Sequence, residues 1–221
     1  MRVIISKRFE AVIFDMDGLL IDSERILRGA LIDTLAAMGQ QLPDALHRKM
    51  AGLPDANALL REHFGPDFAI PEFNQRLRAL ALERFGGGVP LHAGVPELLD
   101  FLEQHGIPKA VATSARRPTA EMHLIKCGIH HRFQAIATRD DVARGKPHPD
   151  VYLKAAADLG LAPAKCVALE DSHNGIRAAH AAGIPTIMVP DLLEPTEEIS
   201  ALCIAVLDDL HQVRRLFGGP S

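Results

Sequence analysis

The sequence predicts an α/β protein that has a doubly wound parallel-sheet (Rossmann-like) core and an inserted helical cap domain. Three observations lead to this fold class. A short apolar run ends at Asp15, as in a strand that is buried on both of its faces. A block with helical periodicity follows this run. Beyond residue 88 the chain alternates between strand and helix patterns, which is typical of βαβ units.

The first elements differ in their hydrophobic period. Residues 11–14 are consecutive apolar residues, which predicts a short buried strand. From residue 25 apolar side chains recur every three or four positions, which predicts an amphipathic helix. Two further helical stretches cover residues 55–64 and 71–85. We predict no strand between residues 19 and 84.

Three consecutive glycines, at 86–88, predict a hinge because they have no side chains to pack. Strands are predicted beyond it at 108–113, 134–138, 165–169, 185–189 and 204–207. Helices are predicted at 95–104, 119–127, 150–159, 173–182 and 209–217. We therefore assign residues 1–18 and 89–221 to the α/β core and residues 19–88 to the inserted cap domain. The insertion follows the carboxyl end of the first strand, where open α/β sheets bind their ligands.

Composition excludes several classes of protein. The 221 residues are 48% hydrophobic and 24% charged, which is typical of a folded globular chain. A net charge of −4 without a dense basic run argues against nucleic acid as a partner. No apolar run reaches the ~18 residues of a membrane span, so we expect a cytoplasmic protein without a membrane partner. The three cysteines fit neither a disulfide framework nor a CxxC metal site and are predicted to be reduced thiols.

Polar residues follow the predicted strands at the edge where their carboxyl ends meet. Asp15 and Asp17 end the first strand, and their spacing allows both side chains to point the same way. A simple turn is the alternative, because Asp and Gly are common in turns. Thr113 and Ser114 follow the second strand and could bind an anion or act as a helix N-cap.

Two further positions reach the same edge. Lys146 lies in a proline-stiffened loop, where a role in the charge balance of a site competes with an ordinary surface position. Glu170 and Asp171 follow the fourth strand, although Asp171 or Ser172 could simply cap the next helix. Four carboxylates at one edge would repel one another without a hard cation or a lysine among them. The set predicts a magnesium-dependent site for a phosphoryl group.

Four motifs in this order resemble those of the haloacid dehalogenase superfamily. Asp15-Met16-Asp17-Gly18 is similar to its first motif, Thr113 to its second, and Lys146 to its third. The run Glu170-Asp171-Ser172-His173-Asn174-Gly175 is similar to its fourth motif. The likeness extends from residue 9 to about residue 210. The run from Asp17 to Glu24 further resembles a subgroup of sugar phosphatases and beta-phosphoglucomutases, whose helical cap follows the first motif.

The resemblance implies a role for each matched residue. Asp15 would be the nucleophile that forms an aspartyl-phosphate, and Asp17 would be the general acid and base. Thr113 and the Ser114 N–H would hold phosphate oxygens. Lys146 would offset the charge of Asp15 and of the transferring group.

The resemblance also implies the metal ligands. Mg²⁺ would be held by Asp15, the backbone carbonyl of Asp17 and Asp171, with Glu170 nearby or acting through water. The presence of Asp17 argues against a dehalogenase or a phosphonate-cleaving enzyme, because both lack this second aspartate.

Departures from the subgroup favour hydrolysis over isomerisation. Beta-phosphoglucomutases tend to have Ser-Arg after a cap glycine, where this chain has Pro54-Asp55 after Gly52-Leu53, and Ala115 replaces a frequent serine. The arginine that would hold a second phosphate is thus absent at this place. Another cation of the cap could substitute for it, among them Lys49, Arg61, Arg76, Arg78 and Arg84. Arg116 and Arg117 could contact an anionic substrate, or could be ordinary exposed arginines.

We therefore expect a monomeric magnesium-dependent phosphatase that acts on a small phosphorylated metabolite, with a sugar phosphate as the expected substrate. A phosphomutase, or a catalytically silent phosphosugar-binding protein, is the alternative. Intact Asp15, Asp17, Lys146 and Asp171 argue against the silent protein.

Overall fold

The structure is a computed structural model that describes residues 9–50 and 56–218. The chain divides into two compact units, with boundaries between Asp22 and Ser23 and between Val89 and Pro90. Among the described residues, one unit contains the sheet and the other contains four α-helices. Across the described residues, no helix is both long and apolar enough to cross a membrane.

The core of the larger unit is a six-stranded sheet in the order β3-β2-β1-β4-β5-β6, with all neighbouring strands parallel. This order places β1 beside both β2 and β4, so the polar residues that follow these three strands lie at one edge of the sheet. The predicted fold class is confirmed. The strands are β1 Ala11–Phe14, β2 Lys109–Ala112, β3 Ala135–Ala137, β4 Cys166–Glu170, β5 Thr186–Met188 and β6 Ala205–Val206.

Helices separate the strands of the larger unit, as the alternating pattern predicts. Each predicted helix of this unit is present, with bounds close to the predicted ones. Among the described α-helices of the unit, the short helix between β5 and β6 is the one without a counterpart in the prediction. Thr196 caps this helix by accepting a hydrogen bond from the Ile199 N–H at 3.2 Å. The helices are α5 Val95–Gln104, α6 Arg117–Lys126, α7 Asp150–Asp158, α8 His173–Ala181, α9 Glu197–Leu202 and α10 Leu210–Leu216.

Small side chains dominate the packing of α7 and α8 against the sheet. The buried cluster contains Ala11, Ala110, Ala112 and Ala168 on the strands, together with alanines of both helices. Small residues allow the helices to approach the strands closely, so the loops at the sheet edge are held by a dense core.

Cys127, Cys166 and Cys203 are free thiols, as predicted.

The smaller unit is helical and has its own apolar core. Within its described residues we find helices and no strand, as predicted. The core residues are Leu31, Leu35, Leu46, Leu60, Ile70 and Phe73. The helices are α1 Ser23–Ala37, α2 Asp44–Met50, α3 Asn57–Phe64 and α4 Ile70–Gly86. Helix α2 is absent from the prediction because only Leu46 and Met50 in it have the apolar spacing of a helix, which is too weak a pattern to detect.

The chain crosses between the units at two points. Residues 19–22 remain with the sheet, because Ile21 forms backbone bridges to Asp17 and to Leu91. At the other crossing Gly86 ends α4, and Gly88 has a φ of +97° that disfavours other residues. The hinge expected at these glycines stays a prediction. The segment Gly52 to Asp55, on which the argument against a mutase rests, lies outside the described residues.

Candidate active site

Three carboxylates meet at the carboxyl ends of β1 and β4. Asp15 follows β1, and its N–H donates to the Leu169 carbonyl of β4 at 3.0 Å. Glu170 ends β4 and Asp171 follows it. One oxygen from each of Asp15, Glu170 and Asp171 lies within 4.8 Å of the others. The parallel pairing of β1 with β4 therefore brings together residues that are far apart in the chain.

Lys146 is a member of this cluster. Its ammonium donates to Asp15 Oδ1, and to Glu170 Oε1 at 2.6 Å, and only 5% of its side chain is exposed. Burial alone would lower the pKa of Lys146, but the carboxylates of Asp15 and Glu170 raise it above its usual value. Lys146 is therefore a charged group between two acids, and the alternative of an ordinary surface lysine is wrong.

Glu170 is completely buried, and donors surround its carboxylate. Oε1 accepts from Lys146 and from the Tyr152 hydroxyl at 2.9 Å. Oε2 accepts from the N–H and the hydroxyl of Ser172, each at 2.9 Å. Ser172 also caps α8, because its Oγ accepts from the Gly175 N–H at 3.1 Å. The carboxylate of Glu170 is thus occupied by hydrogen bonds from within the protein.

Asp171 differs from Glu170 in this respect. Its Oδ1 oxygen is buried and accepts no hydrogen bond from the described residues. Burial, followed by the negative charges of Glu170 and Asp15, holds the pKa of Asp171 well above its usual range. Gly18 allows this close packing, because a Cβ at that position would lie 2.3 Å from Asp171 Oδ2.

The charge of the cluster fits a hard divalent cation. Burial raises the pKa of Asp15 to about 8, against the opposing effect of Lys146. Three carboxylates share one ammonium here, and the unsatisfied oxygen of Asp171 is the ligand type that Mg²⁺ prefers. A divalent cation would compensate the remaining negative charge and stabilise the ionised carboxylates.

Asp17 and Thr113 differ in exposure at this edge. Asp17 is exposed, and it lies near enough to Asp15 for its charge to help raise the pKa of Asp15. Thr113 is buried, and its Oγ1 accepts from the Ala115 N–H at 3.0 Å. Neither Thr113 nor Ser114 caps α6, whose cap residue is Arg116, so the N-cap alternative is wrong.

The two candidate substrate-binding arginines have different surroundings. The side chain of Arg116 is 81% exposed, with Asp140 Oδ1 at 3.7 Å. The guanidinium of Arg117 donates to the Ile136 carbonyl at 2.9 Å and to Asp141 Oδ2 at 2.7 Å. It also donates to Glu121 at 3.1 Å. This arrangement does not support a substrate contact for Arg117, which instead connects α6 to the end of β3.

Tyr152 was not among the predicted site residues. It lies in the first turn of α7, six positions after Lys146, and is completely buried. It is the only tyrosine in the chain. A polar side chain on the buried face of a helix directly after a predicted site lysine is the feature that could have revealed it.

Comparison with known proteins identifies the family of the chain. The family described as haloacid dehalogenase-like hydrolase matches residues 12–189, which include all four motifs. The chain belongs to this family. Two phosphatases are among the proteins that are similar to most of the chain. Hexitol phosphatase B of Escherichia coli is 36% identical over 186 residues, which are 81% of this chain and 83% of the relative.

Two more relatives extend the comparison. A phosphorylated carbohydrates phosphatase of Thermotoga maritima is 33% identical over 180 residues, covering 80% of this chain and 83% of its own. A haloacid dehalogenase family hydrolase of Deinococcus radiodurans, solved with bound phosphate and sodium, superposes with a TM-score of 0.82. It is 32% identical, with 94% of each chain covered. The predicted family and its subgroup of sugar phosphatases and beta-phosphoglucomutases are confirmed.

Proposed function

We propose that the protein is a magnesium-dependent phosphatase that hydrolyses small phosphorylated carbohydrates through an aspartyl-phosphate on Asp15. One observation carries the proposal: Lys146 lies between Asp15 and Glu170, while Asp171 beside them has a buried oxygen that accepts no hydrogen bond from any described residue. Phosphoryl transfer requires a nucleophilic carboxylate, a fixed positive charge and an oxygen that can coordinate a cation, and this cluster contains all three.

Asp15 and Asp17 perform the bond changes. A carboxylate oxygen of Asp15 attacks phosphorus, and the bond between phosphorus and the sugar oxygen breaks while Asp17 gives that oxygen a proton. Asp17 then removes a proton from water. The water oxygen attacks phosphorus, the bond to Asp15 breaks, and inorganic phosphate leaves. The exposure of Asp17 suits this task because both the leaving alcohol and water must reach its carboxyl group.

Lys146, Thr113 and the Ser114 N–H bind the oxygens of the transferring group. The ammonium of Lys146 is held by Glu170 at 2.6 Å, so its charge is in place before substrate binds. Such preorganised charge is the main source of catalysis in phosphoryl transfer. Arg116, the exposed arginine, is the candidate contact for the rest of an anionic substrate.

The metal would be held by Asp15, Asp171 and the backbone carbonyl of Asp17. When bound, Mg²⁺ supplies positive charge that compensates the carboxylates and the phosphoryl oxygens. Glu170, whose oxygens accept from Lys146, Tyr152 and Ser172, acts by orienting Lys146 and takes at most a secondary part in metal binding.

The names of the relatives support a sugar phosphate as substrate, since two of them are phosphatases of hexitol or carbohydrate phosphates. We assign to the helical unit Ser23–Val89 the role of the cap that determines substrate specificity. A cytoplasmic location remains our expectation.

A substrate panel tests the proposal. The purified protein is given p-nitrophenyl phosphate and a set of hexose, hexitol and pentose phosphates, with Mg²⁺ and with EDTA. We expect release of inorganic phosphate that requires Mg²⁺ and is lost in Asp15→Asn. Asp158→Asn, which changes an exposed carboxylate paired with Lys154, is the matched control and keeps activity.

Phosphorus NMR of the same reactions separates the alternatives. An isomeric sugar phosphate that accumulates faster than inorganic phosphate would replace the phosphatase with a mutase. Absence of turnover on every ester, with binding retained, would indicate the silent phosphosugar-binding protein.

A further inference from the structure

Tyr152 contacts the charged centre of the site from within the protein core. Its hydroxyl donates to Glu170 Oε1 at 2.9 Å, and the same oxygen accepts from Lys146 at 2.6 Å. The Lys146 ammonium lies 3.5 Å from the tyrosine hydroxyl and 4.9 Å from the centre of its ring. Two donors therefore converge on one oxygen of Glu170.

The ring and the hydroxyl of Tyr152 have separate tasks. The ring packs in the buried cluster between α7 and the sheet, where phenylalanine would fill nearly the same volume. The hydroxyl adds one interaction that packing does not require, and that interaction is with a carboxylate. Hydrogen bonds to charged groups in a low-dielectric interior are stronger than neutral ones.

The shared oxygen links Tyr152 to the direction of the Lys146 ammonium. Lys146 is attracted by Asp15 on one side and by Glu170 on the other. A donor that satisfies part of the Glu170 charge weakens the attraction on that side. Lys146 is then more available to Asp15 and to a group transferred to it.

We propose that Tyr152 is a positioning residue, whose hydroxyl holds Glu170 and thereby directs Lys146 toward Asp15. The inference rests on the proposed phosphatase function and deepens it. Within the described residues, the hydrogen bonds of the Tyr152 hydroxyl are with Glu170 and Lys146, so it acts through these two side chains. Its hydroxyl contributes mainly in the transition state, when negative charge on the transferring group requires the ammonium.

Tyr152→Phe tests this role by removing the hydroxyl and keeping the ring. We expect kcat with p-nitrophenyl phosphate to fall about tenfold, with KM changed less than about threefold. Thr186→Val is the matched control, because Thr186 is also fully buried and its hydroxyl donates to the Ile184 carbonyl at 3.0 Å. The control is expected to keep kcat. A kcat of Tyr152→Phe within about twofold of the unaltered protein overturns the proposal.

A spectroscopic measurement tests the linkage without turnover. The chain has one tyrosine, so protein labelled with ¹³Cζ-tyrosine gives a single resonance that reports the hydrogen bond of its hydroxyl. Lys146→Met removes the other donor to Glu170 Oε1 and is expected to shift this resonance, whereas Thr186→Val leaves it unchanged. An unchanged resonance in a folded Lys146→Met variant contradicts the linkage.

Together, the kinetic and spectroscopic measurements separate a failure of the proposed phosphatase function from a failure of the positioning role of Tyr152. An unaltered protein that hydrolyses no phosphate ester refutes the proposed function, and the resonance still decides whether Tyr152 and Lys146 are coupled. If Lys146→Met does not fold, the comparison of Tyr152→Phe with Thr186→Val decides.

Discussion

Gly175 lies against the carboxylate of Glu170 so closely that no side chain fits at this glycine. A Cβ at Gly175 would lie 1.6 Å from Glu170 Oε1 and 1.9 Å from its carboxyl carbon. Glu170 is therefore held over the first turn of α8, where the Ser172 N–H donates to it and the helix dipole favours negative charge. The acid that orients Lys146 depends on a glycine five positions away.

Gly175→Ala is expected to displace Glu170 and to disturb Lys146 with it. We expect a loss of about 1–3 kcal/mol in the free energy of unfolding, as for other overpacked sites, together with a large fall in kcat. Gly86→Ala is the control, because a Cβ there meets no atom within 4 Å. Thermal unfolding and steady-state kinetics of both variants check this, and a Gly175→Ala protein as active as Gly86→Ala would contradict it.

Asp171 and Glu170 are adjacent in sequence but are expected to respond differently to substitution. Asp171→Asn should greatly raise the Mg²⁺ concentration needed for half-maximal activity, because Asp171 supplies the unsatisfied oxygen. Glu170→Gln should lower kcat with a smaller change in the Mg²⁺ requirement, because its oxygens accept from protein donors. Calorimetric titration with Mg²⁺ measures affinity independently of turnover. Equal loss of affinity in both variants would place Glu170 among the metal ligands.

Arg116 and Arg117 are expected to separate substrate binding from stability. Arg116→Ala should raise KM for an anionic sugar phosphate with little change in melting temperature, since the side chain is exposed. Arg117→Ala should lower the melting temperature, because it removes donors to the Ile136 carbonyl and to Asp141. The reverse pattern, with KM sensitive to Arg117 alone, would restore Arg117 as a substrate contact.

Glu103, which lies outside the candidate active site, is expected to make the stability of the fold depend on pH. Glu103 is exposed, and hydrogen bonding from Arg132, with a further contribution from Lys109, lowers its pKa to about 2. A carboxylate with a lowered pKa stabilises the fold above its unfolded pKa, and this contribution is lost as the pH falls from about 4.5 toward about 2.

Glu103→Gln should therefore lower the melting temperature at neutral pH, with the difference from the unaltered protein narrowing in acid. The control is Glu97→Gln, which changes an exposed acid on the same helix. Melting curves recorded from pH 7 to pH 2.5 check this expectation. A constant difference between Glu103→Gln and the unaltered protein across that range would contradict it.

Strong local patterns made much of this fold predictable. The apolar run of β1 and the periodicity of α5 predict the observed bounds, Ala11–Phe14 and Val95–Gln104. Helices α2 and α9 were not predicted because neither has the apolar repeat that reveals the equally short α10, whose Leu210, Val213 and Phe217 recur at helical spacing. Their position depends on caps and tertiary packing, which periodicity does not report.

The sequence was sufficient to select most residues of the candidate site, but it did not predict which hydrogen bonds they form. Parallel strands bring Asp15, Lys146, Glu170 and Asp171 to one edge, and motif order was sufficient to select them. The difference between Glu170 and Asp171 depends on which donors reach each oxygen, and adjacent positions in the sequence cannot reveal that. Tyr152 contributes through a single hydroxyl. Its aromatic ring is buried, and from the sequence such a residue is predicted to belong to the hydrophobic core.

In the proposed reaction, Asp15 carries the phosphoryl group between the two steps. Rapid acid quenching of the reaction with a ³²P-labelled phosphate ester, followed by peptide mapping, tests it directly. We expect an acid-stable, alkali-labile label on the peptide containing Asp15, which accumulates when Asp17→Asn slows its hydrolysis and is absent in Asp15→Asn. Continued release of phosphate by Asp15→Asn, or turnover with no label on the protein at any time, would show that Asp15 is not the nucleophile.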